Sequence, residues 1–273
     1  MRSKNLIQER SQLENKNMHI LVDIGNTNIL FGKFDNLDLV EQLRIETKVF
    51  NKDVSSIDSE TYKKINNFIK NDCVDCLISG VVPNTILSLI NFIKNYQDLN
   101  IVEIDNEYLG NLIKVNVDKP NEVGVDRLIN SYAGLNLFNS PLIIIDFGTA
   151  TTFDLVDSSG AYIGGIICPG VNLSVQSLAH NTAKLPLIEI KKVEKLIGKD
   201  TASAIESGIY WGYVSLVGGL IDRLKKQNGF NDANIVATGG LSGMFRGDLS
   251  QIQHYEPDLT LKGLNIIYNE YKK

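Results

Sequence analysis

Short apolar runs alternate with polar segments through the first half of the chain. Three closely spaced runs, beginning with His19-Ile20-Leu21-Val22, predict three consecutive strands, because apolar runs of this length bounded by turn residues are typical of sheets. Farther along, apolar positions recur every three or four residues, which predicts helices. In chain order, we expect strands over 19–24, 29–34 and 39–45, a helix over 59–70, a strand over 77–82, a helix over 85–96 and a strand over 100–104.

The second half of the chain repeats this order of elements. A helix over 126–139 joins the halves. After it we expect strands over 142–145, 151–156 and 161–167, helices over 171–179 and 201–227, a strand over 234–237 and a helix over 261–271. Strands that first meander and then alternate with helices indicate mixed sheets flanked by helices. The sequence therefore predicts an α/β fold with two domains, over 18–133 and 134–273.

The first 17 residues are polar and rich in Asn, Gln, Glu and Lys. We expect residues 1–17 to form a flexible N-terminal extension, with Met18 as the functional start. Deleting the extension should leave activity intact, and loss of soluble protein on deletion would contradict this interpretation.

Composition narrows the class of protein. With 273 residues, 43% of them hydrophobic, the chain can build a sizeable core. Its 27 basic residues are outnumbered by 32 acidic ones, which gives a net charge of −5 and argues against nucleic acid as a partner. No apolar run is long enough for a membrane helix, and no signal sequence opens the chain, so we expect a cytoplasmic protein.

The cysteines do not suggest a disulfide framework or a zinc site. Cys73 and Cys76 have the spacing of a zinc knuckle, but no second such pair follows, and the chain has three histidines in all. We expect both to be small residues at the entry to a strand, with redox chemistry as the alternative.

One motif occurs twice, each time behind a predicted strand. Asp23-Ile24-Gly25-Asn26-Thr27 follows the apolar run His19-Ile20-Leu21-Val22, and Asp146-Phe147-Gly148-Thr149 follows the run over 142–145. Glycine allows a tight turn whose backbone N–H groups and threonine hydroxyl can face phosphate oxygens. The carboxylate beside them can hold a cation that neutralises those phosphates. One copy alone would fit an ordinary polar turn, but two copies indicate a duplicated fold that binds one polyphosphate from both sides.

Other phosphate-binding motifs are missing from the sequence. Neither a Walker A motif nor the Rossmann glycine pattern occurs. The pairs Gly164-Gly165 and Gly239-Gly240 remain as glycine-rich segments. The second pair either admits a flat base or ribose or caps a helix, and its spacing does not decide between these.

The segment between the two turns carries an acid beside a base. Asp126 and Arg127 follow Gly124 at the start of the helix that joins the halves. Asp126 could be only a helix N-cap, but an aspartate here could also accept the proton of an attacking hydroxyl in phosphoryl transfer. The guanidinium of Arg127 suits a carboxylate on the acceptor, and its alternative role is a salt bridge.

Taken together, these motifs resemble the type III pantothenate kinases. The resemblance runs from about Met18 to the C-terminus and keeps one order of motifs. It rests on Asp23-Ile24-Gly25-Asn26-Thr27-Asn28, Glu122-Val123-Gly124-Val125-Asp126-Arg127, Asp146-Phe147-Gly148-Thr149-Ala150-Thr151-Thr152, Gly165-Ile166-Ile167-Cys168-Pro169-Gly170 and Thr182-Ala183-Lys184-Leu185-Pro186. The family belongs to the acetate and sugar kinase, heat-shock and actin superfamily, so the resemblance implies two duplicated ribonuclease-H-like domains. It also implies phosphorylation of pantothenate by ATP, the first step toward coenzyme A.

The resemblance also implies roles for individual residues. Asp126 matches the proton acceptor of the family. The pantothenate contacts match Gly124, Val125, Asp126, Arg127 and Thr182. The phosphate loop for ATP matches Asp23, Ile24, Gly25, Asn26, Thr27, Asn28, Ile29 and Leu30, and Thr149 matches a further ATP contact. Asp23 then lies near the magnesium ion, and Asp146 matches a ligand of a monovalent cation, potassium or ammonium.

Members of the family are typically homodimers. The predicted helix over 201–227 contains Gly208, Gly212, Gly218 and Gly219. We expect its glycine face to pack closely against the first domain or against a second subunit.

Two positions depart from the family pattern. Many members have alanine where this chain has Val125, and many place an aromatic residue near Val117 to contact the substrate. The bulk of Val125 should be tolerated, whereas Val117 could change the affinity for pantothenate.

Two other functions remain open from the sequence. A kinase of the same superfold could act on a sugar or another small acid, although Arg127 argues against a neutral sugar. A catalytically silent nucleotide-binding regulatory protein could also share the fold. Asp126→Asn separates the kinases from the regulatory protein, since a kinase should lose about 10²–10⁴-fold in turnover and a regulatory protein should bind ATP and function almost as before.

Overall fold

The computed structural model describes residues 18–50, 57–69, 73–96, 99–180, 186 and 188–273. The predicted extension over 1–17 lies outside these residues. The chain divides into two compact units, called unit 1 and unit 2 below. Unit 1 contains the described residues within 18–109, 124–126 and 260–273, and unit 2 contains those within 110–123 and 127–259. The division into domains at residue 134 stays a prediction.

Unit 1 is built around a mixed sheet of five strands. The strands are β1 (Met18–Ile24), β2 (Asn28–Asp35), β3 (Asp38–Glu46), β4 (Cys73–Gly80) and β5 (Asn100–Glu103). They lie in the order β3-β2-β1-β4-β5, in which β2 pairs antiparallel with both β3 and β1, β4 pairs parallel with β1, and β5 pairs parallel with β4. The helices that accompany it are α1 (Ser59–Phe68), α2 (Pro83–Tyr96), the short α3 (Asn106–Gly110) and, from the end of the chain, α7 (Leu259–Tyr271).

The last helix is tied to unit 1 by polar contacts as well as by packing. His19 on β1 makes a 2.7 Å hydrogen bond with Asn265 and stacks on the ring of Tyr268 at 3.7 Å. Asp75 on β4, which is 2% exposed, accepts a 2.8 Å hydrogen bond from Tyr268 and pairs with Lys272 at 2.7 Å. A buried carboxylate is tolerated when it is paired and hydrogen-bonded in this way.

Unit 2 has a second sheet of five strands in an equivalent order. Its strands are β6 (Leu142–Phe147), β7 (Ala150–Val156), β8 (Tyr162–Pro169), β9 (Asn234–Thr238) and β10 (His254–Tyr255). The order β10-β9-β6-β7-β8 repeats the first sheet, because β6 pairs antiparallel with β7 and parallel with β9 just as β1 does with β2 and β4. The helices are α4 (Val125–Leu137), α5 (Val171–His180) and α6 (Thr201–Leu224). The predicted α/β fold with two duplicated mixed sheets is confirmed.

Local chemistry explains how the longest helix begins. Asp200 accepts a 2.9 Å hydrogen bond from the backbone N–H of Ser203, and the Ser203 hydroxyl accepts one from the backbone N–H of Asp200 at 3.1 Å. This reciprocal pair is a capping box, which satisfies N–H groups that a helix start leaves unpaired. The helix then contributes buried residues such as Tyr210 and Val217 to the core of unit 2.

The predicted close packing of the α6 glycines against the first domain or a second subunit stays a prediction. A β-carbon on Gly219 would lie 3.2 Å from Arg223 of the same helix, whereas one on Gly208 or Gly212 would meet no described atom within 4 Å. Two short elements, α3 and β10, were missed, since five and two residues are too few to show a periodicity. Among the described helices, none combines the length and apolar character that a membrane crossing requires.

Candidate active site

The first glycine turn connects β1 to β2 in unit 1. Asp23 is the penultimate residue of β1, and the N–H of Gly25 donates a 2.9 Å hydrogen bond to the carbonyl of Asn28. Thr47 closes the turn from outside, since its hydroxyl donates to the carbonyl of Gly25 at 2.7 Å and its N–H to that of Thr27 at 2.9 Å. The turn is therefore fixed by a threonine that follows β3, which sequence reasoning missed.

The side chains of this turn differ in their exposure to solvent. Asn26 and Thr27 are exposed, whereas Ile24 and Ile29 are buried in the core of unit 1. Asn28 and Leu30 are half-buried, as is Asp23. A nucleotide contact at the two isoleucines would therefore use their backbone, while the side chains of Asn26 and Thr27 can reach a ligand.

A glycine from β4 packs against the base of the turn. Ser79 is the register partner of Asp23, and Gly80 is the partner of Ile24. A β-carbon on Gly80 would lie 2.5 Å from the β-carbon of Ile24, so only glycine allows this approach.

The second glycine turn connects β6 to β7 in unit 2 and is one residue shorter. The N–H of Gly148 donates a 3.1 Å hydrogen bond to the carbonyl of Ala150, two residues on rather than three. Thr149 is exposed at the tip, and a β-carbon on Gly170 would overlap its carbonyl oxygen. Gly170, which immediately precedes α5, therefore allows that helix to begin directly against the turn.

Asp146 has close neighbours on two sides. Buried Asn130 on α4 donates a 3.3 Å hydrogen bond to Asp146 Oδ2. On the other side, a β-carbon on Gly239 would overlap Asp146 Oδ1. Gly239 has a φ of 88°, and its carbonyl accepts hydrogen bonds from the N–H and hydroxyl of Ser242 at 3.1 and 2.8 Å. These bonds favour the capping role for the glycine pair, because Gly239 leads into the short 3₁₀ helix over Ser242–Phe245.

Residues 124–126 lie at the start of helix α4, which begins at Val125. Val125 is buried, so the extra bulk of this position lies in the core, and Gly124 and Asp126 are half-buried. Asp126 lies in the first turn of α4, where negative charge is favoured by the helix dipole. By contacts, residues 124–126 belong to unit 1 and Arg127 to unit 2. Thr182 lies outside the described residues.

Arg127 forms the salt bridge that the sequence offered as its alternative role. Its Nε and one of its amino groups each lie 2.7 Å from Oδ1 of Asp154 on β7. Tyr162 donates to the same oxygen at 3.0 Å, and Thr152 donates to the other at 3.2 Å. Asp154 is fully buried, and this burial raises the pKa of its carboxyl to about 6, although the charge of Arg127 acts in the opposite direction.

Sequence reasoning missed Asp154, although one signal was present. The strand reads Ala-Thr-Thr-Phe-Asp-Leu-Val, in which an aspartate interrupts a largely apolar stretch. A charge in a strand interior needs a partner, and Arg127 supplies it from 27 positions away. Val117 lies nearby, since a β-carbon on Gly164 would be 3.9 Å from its side chain.

Comparison with known proteins agrees with the motifs. Residues 19–223 match a family model described as type III pantothenate kinase. The type III pantothenate kinase of Maricaulis maris is 40% identical over 248 residues, covering 90% of this chain and 95% of that protein. The corresponding protein of Agathobacter rectalis is 35% identical over 257 residues, covering 94% and 98%.

Solved structures share the fold at low sequence identity. The ethanolamine utilization protein EutJ from Carboxydothermus hydrogenoformans matches with a TM-score of 0.53 at 15% identity, covering 94% of this chain and 98% of that one. The activator of 2-hydroxyisocaproyl-CoA dehydratase from Clostridium difficile, solved with ADPNP, matches with a TM-score of 0.50 at 15% identity, covering 93% and 96%. These proteins have the actin-like ATPase fold.

Proposed function

This chain belongs to the type III pantothenate kinase family, and from that premise we propose which of its residues carry the reaction. The chain is an ATP-dependent kinase that phosphorylates pantothenate, the first step toward coenzyme A. One observation carries the assignment of residues: the first strand of each equivalent sheet has an aspartate as its penultimate residue and leads into a glycine turn, with Asp23 in unit 1 and Asp146 in unit 2.

Asp126 is proposed as the proton acceptor. The terminal hydroxyl of pantothenate attacks the γ-phosphorus, a new O–P bond forms, the bond to the leaving ADP breaks, and the hydroxyl proton passes to the carboxylate. The half-buried position of Asp126 in the first turn of α4 supports this role, since a carboxylate fixed on a helix keeps its orientation. Arg127, Gly124, Val125 and Thr182 are proposed to contact pantothenate.

The loop from Asp23 to Leu30 is proposed to hold the phosphates of ATP. Its exposed members Asn26 and Thr27 support this, together with the backbone fixed by Thr47. Thr149, at the tip of the other turn, is proposed as a second ATP contact.

Magnesium fits the residues of the first turn. Mg²⁺ usually keeps several waters and binds through one or two carboxylates plus substrate phosphates. The described residues contain no cluster of three or more His, Cys, Asp or Glu side chains, so a protein-only cage is not expected there. Asp23 would hold the ion through water or phosphate, and the ion would neutralise charge on the transferring group.

Asp146 is proposed as a ligand of a monovalent cation, potassium or ammonium. Its carboxylate suits a hard cation, Asn130 donates a hydrogen bond to it, and the missing side chain of Gly239 leaves space for it. Such a cation would add positive charge beside the phosphates.

A homodimer in the cytoplasm is proposed as the working form. The open face at Gly208 and Gly212 offers a surface where another backbone can approach closely. The three cysteines are free thiols, as expected in a reducing compartment.

The experiment that tests these assignments is ADP release by the purified protein with ATP and magnesium. Turnover should require pantothenate, yield phosphopantothenate by mass spectrometry, and fall when sodium replaces potassium. Equal turnover with both cations would contradict the role of Asp146. ATP binding without turnover in either cation would contradict the role of Asp126.

A further inference from the structure

We propose that Asp154 is a positioning residue for pantothenate, which acts by fixing the guanidinium of Arg127. The inference rests on the proposed contact between Arg127 and pantothenate. It assigns a role in substrate recognition to a residue that lies in a strand and outside every motif of the site.

The contacts of Asp154 converge on one side chain. Arg127 donates a 2.7 Å hydrogen bond to Oδ1 through Nε, and one of its amino groups lies 2.7 Å from the same oxygen as an ion pair. A charge-assisted hydrogen bond of this length restrains the position of the guanidinium. Tyr162 and Thr152 donate hydrogen bonds to the carboxylate of Asp154 at 3.0 and 3.2 Å. The group that positions Arg127 is therefore itself held in place.

The neighbouring strand leaves room for this arrangement. Gly165 on β8 is the register partner of Asp154. A β-carbon there would overlap the amino group of Arg127 and the carbonyl oxygen of Phe153. Tyr162 lies on the same strand, and its ring centre is 5.9 Å from the guanidinium carbon of Arg127. Any side chain at Gly165 would displace the arginine, so the space beside β8 is shaped for Arg127.

Stability alone does not explain an aspartate at this position. Asp154 is fully buried, and a buried ion pair seldom stabilises a protein more than apolar side chains of similar volume would. Fixing a substrate-binding arginine does explain it. Because the pair is neutral overall, Arg127 acts on pantothenate as an oriented hydrogen-bond donor rather than as an isolated charge.

The test is Asp154→Asn in the full-length kinase. The amide keeps the size of the side chain but removes the charge that orients Arg127. We expect the KM for pantothenate to rise by about 10–100-fold, the range for a lost charge-assisted hydrogen bond, with the KM for ATP unchanged. Calorimetric titration with pantothenate without ATP should show the same loss of affinity.

The matched control is Asp75→Asn, which also removes a buried, ion-paired carboxylate, but in unit 1 beside α7. It should lower the free energy of unfolding and leave the KM for pantothenate unchanged. An equal rise in the pantothenate KM for both variants would overturn the inference, because it would indicate a general loss of stability.

A double-mutant comparison shows whether Asp154 acts through Arg127. In an Arg127→Ala background, Asp154→Asn should change pantothenate affinity no further. If Arg127→Ala itself leaves this affinity unchanged, the proposed function of Arg127 fails. If it weakens binding and Asp154→Asn does not, only the positioning role fails.

Should Asp154→Asn not fold, Tyr162→Phe combined with Thr152→Val provides the second variant. It removes two donors to Asp154 without adding a polar group. A pantothenate KM raised severalfold with an unchanged KM for ATP would support the inference, and an unchanged pantothenate KM in a folded protein would contradict it.

Discussion

Asp146 and Gly239 fit each other so closely that the carboxylate occupies the space where a side chain on Gly239 would begin. The glycine also has a φ of 88°, which L-residues rarely adopt. The positive φ and the nearby carboxylate of Asp146 therefore each favour glycine at position 239. The second constraint ties this glycine to the proposed cation ligand.

Gly239→Ala should accordingly weaken both the fold and the cation response. Strain at a positive φ costs about 1–3 kcal/mol, and displacement of Asp146 should raise the potassium concentration needed for half-maximal activity at least about tenfold. Urea unfolding and a potassium titration of activity measure the two effects. Gly243→Ala is the control, since a β-carbon there would meet no described atom within 4 Å. Normal potassium activation in a folded Gly239→Ala protein would count against the role of Asp146.

Asp126→Asn should lower kcat by about 10²–10⁴-fold, the range for loss of general-base help. The amide keeps the size and polarity of the side chain in the first turn of α4 but accepts no proton. ATP affinity and the circular dichroism spectrum should stay unchanged. A variant that keeps most of its turnover would show that Asp126 only orients the hydroxyl.

The free energy of unfolding should depend on pH through the titration of Asp154. Burial raises the pKa of this carboxyl from the ordinary 3.8 to about 6 in the folded protein. Between these two values the folded chain holds a proton that the unfolded chain has released. The stabilisation from this group is therefore complete below about pH 4 and is lost as the pH rises through about 6.

Comparison with Asp154→Asn isolates this pH dependence. The free energy of unfolding of the wild type, minus that of the variant, should fall between pH 4 and pH 7, as measured by urea unfolding at each pH. A difference that grows with pH would mean that the charge of Arg127 outweighs the effect of burial.

Gly212→Phe should leave the protomer folded and abolish dimerisation. A β-carbon at Gly212 meets nothing within the described chain, so the ring can be accommodated in a monomer, but it would block a close approach by a partner. Light scattering measures the mass in solution. Gly110→Phe is a control at another open glycine, and it should keep the mass of the wild type. An unchanged mass for Gly212→Phe would place the dimer interface elsewhere.

Sequence reasoning succeeded where structure is local. The strands, most helices and both glycine turns follow from short patterns, and the repeated order predicted the duplicated sheets. It did not find Thr47, Asn130 or Asp154, because each supports a predicted residue from a different element. Such partners depend on register and packing, which no spacing along the chain reveals. Arg127 illustrates the limit, since its sequence allowed both a substrate carboxylate and a salt bridge, and only the strand geometry identified Asp154.

The attachment of α7 to unit 1 has a consequence for protein synthesis. His19 on β1 contacts Asn265, 246 positions later. A ribosome therefore completes all of unit 2, which ends at residue 259, before it makes the helix that covers one face of the first sheet. At about 5–20 residues per second, the roughly 150 residues from 110 to 259 take on the order of 8–30 s. Unit 1 is thus translated first but completed last. Until α7 is made, the sheet face that this helix covers is exposed, and this face is the part that a nascent-chain chaperone would have to shield.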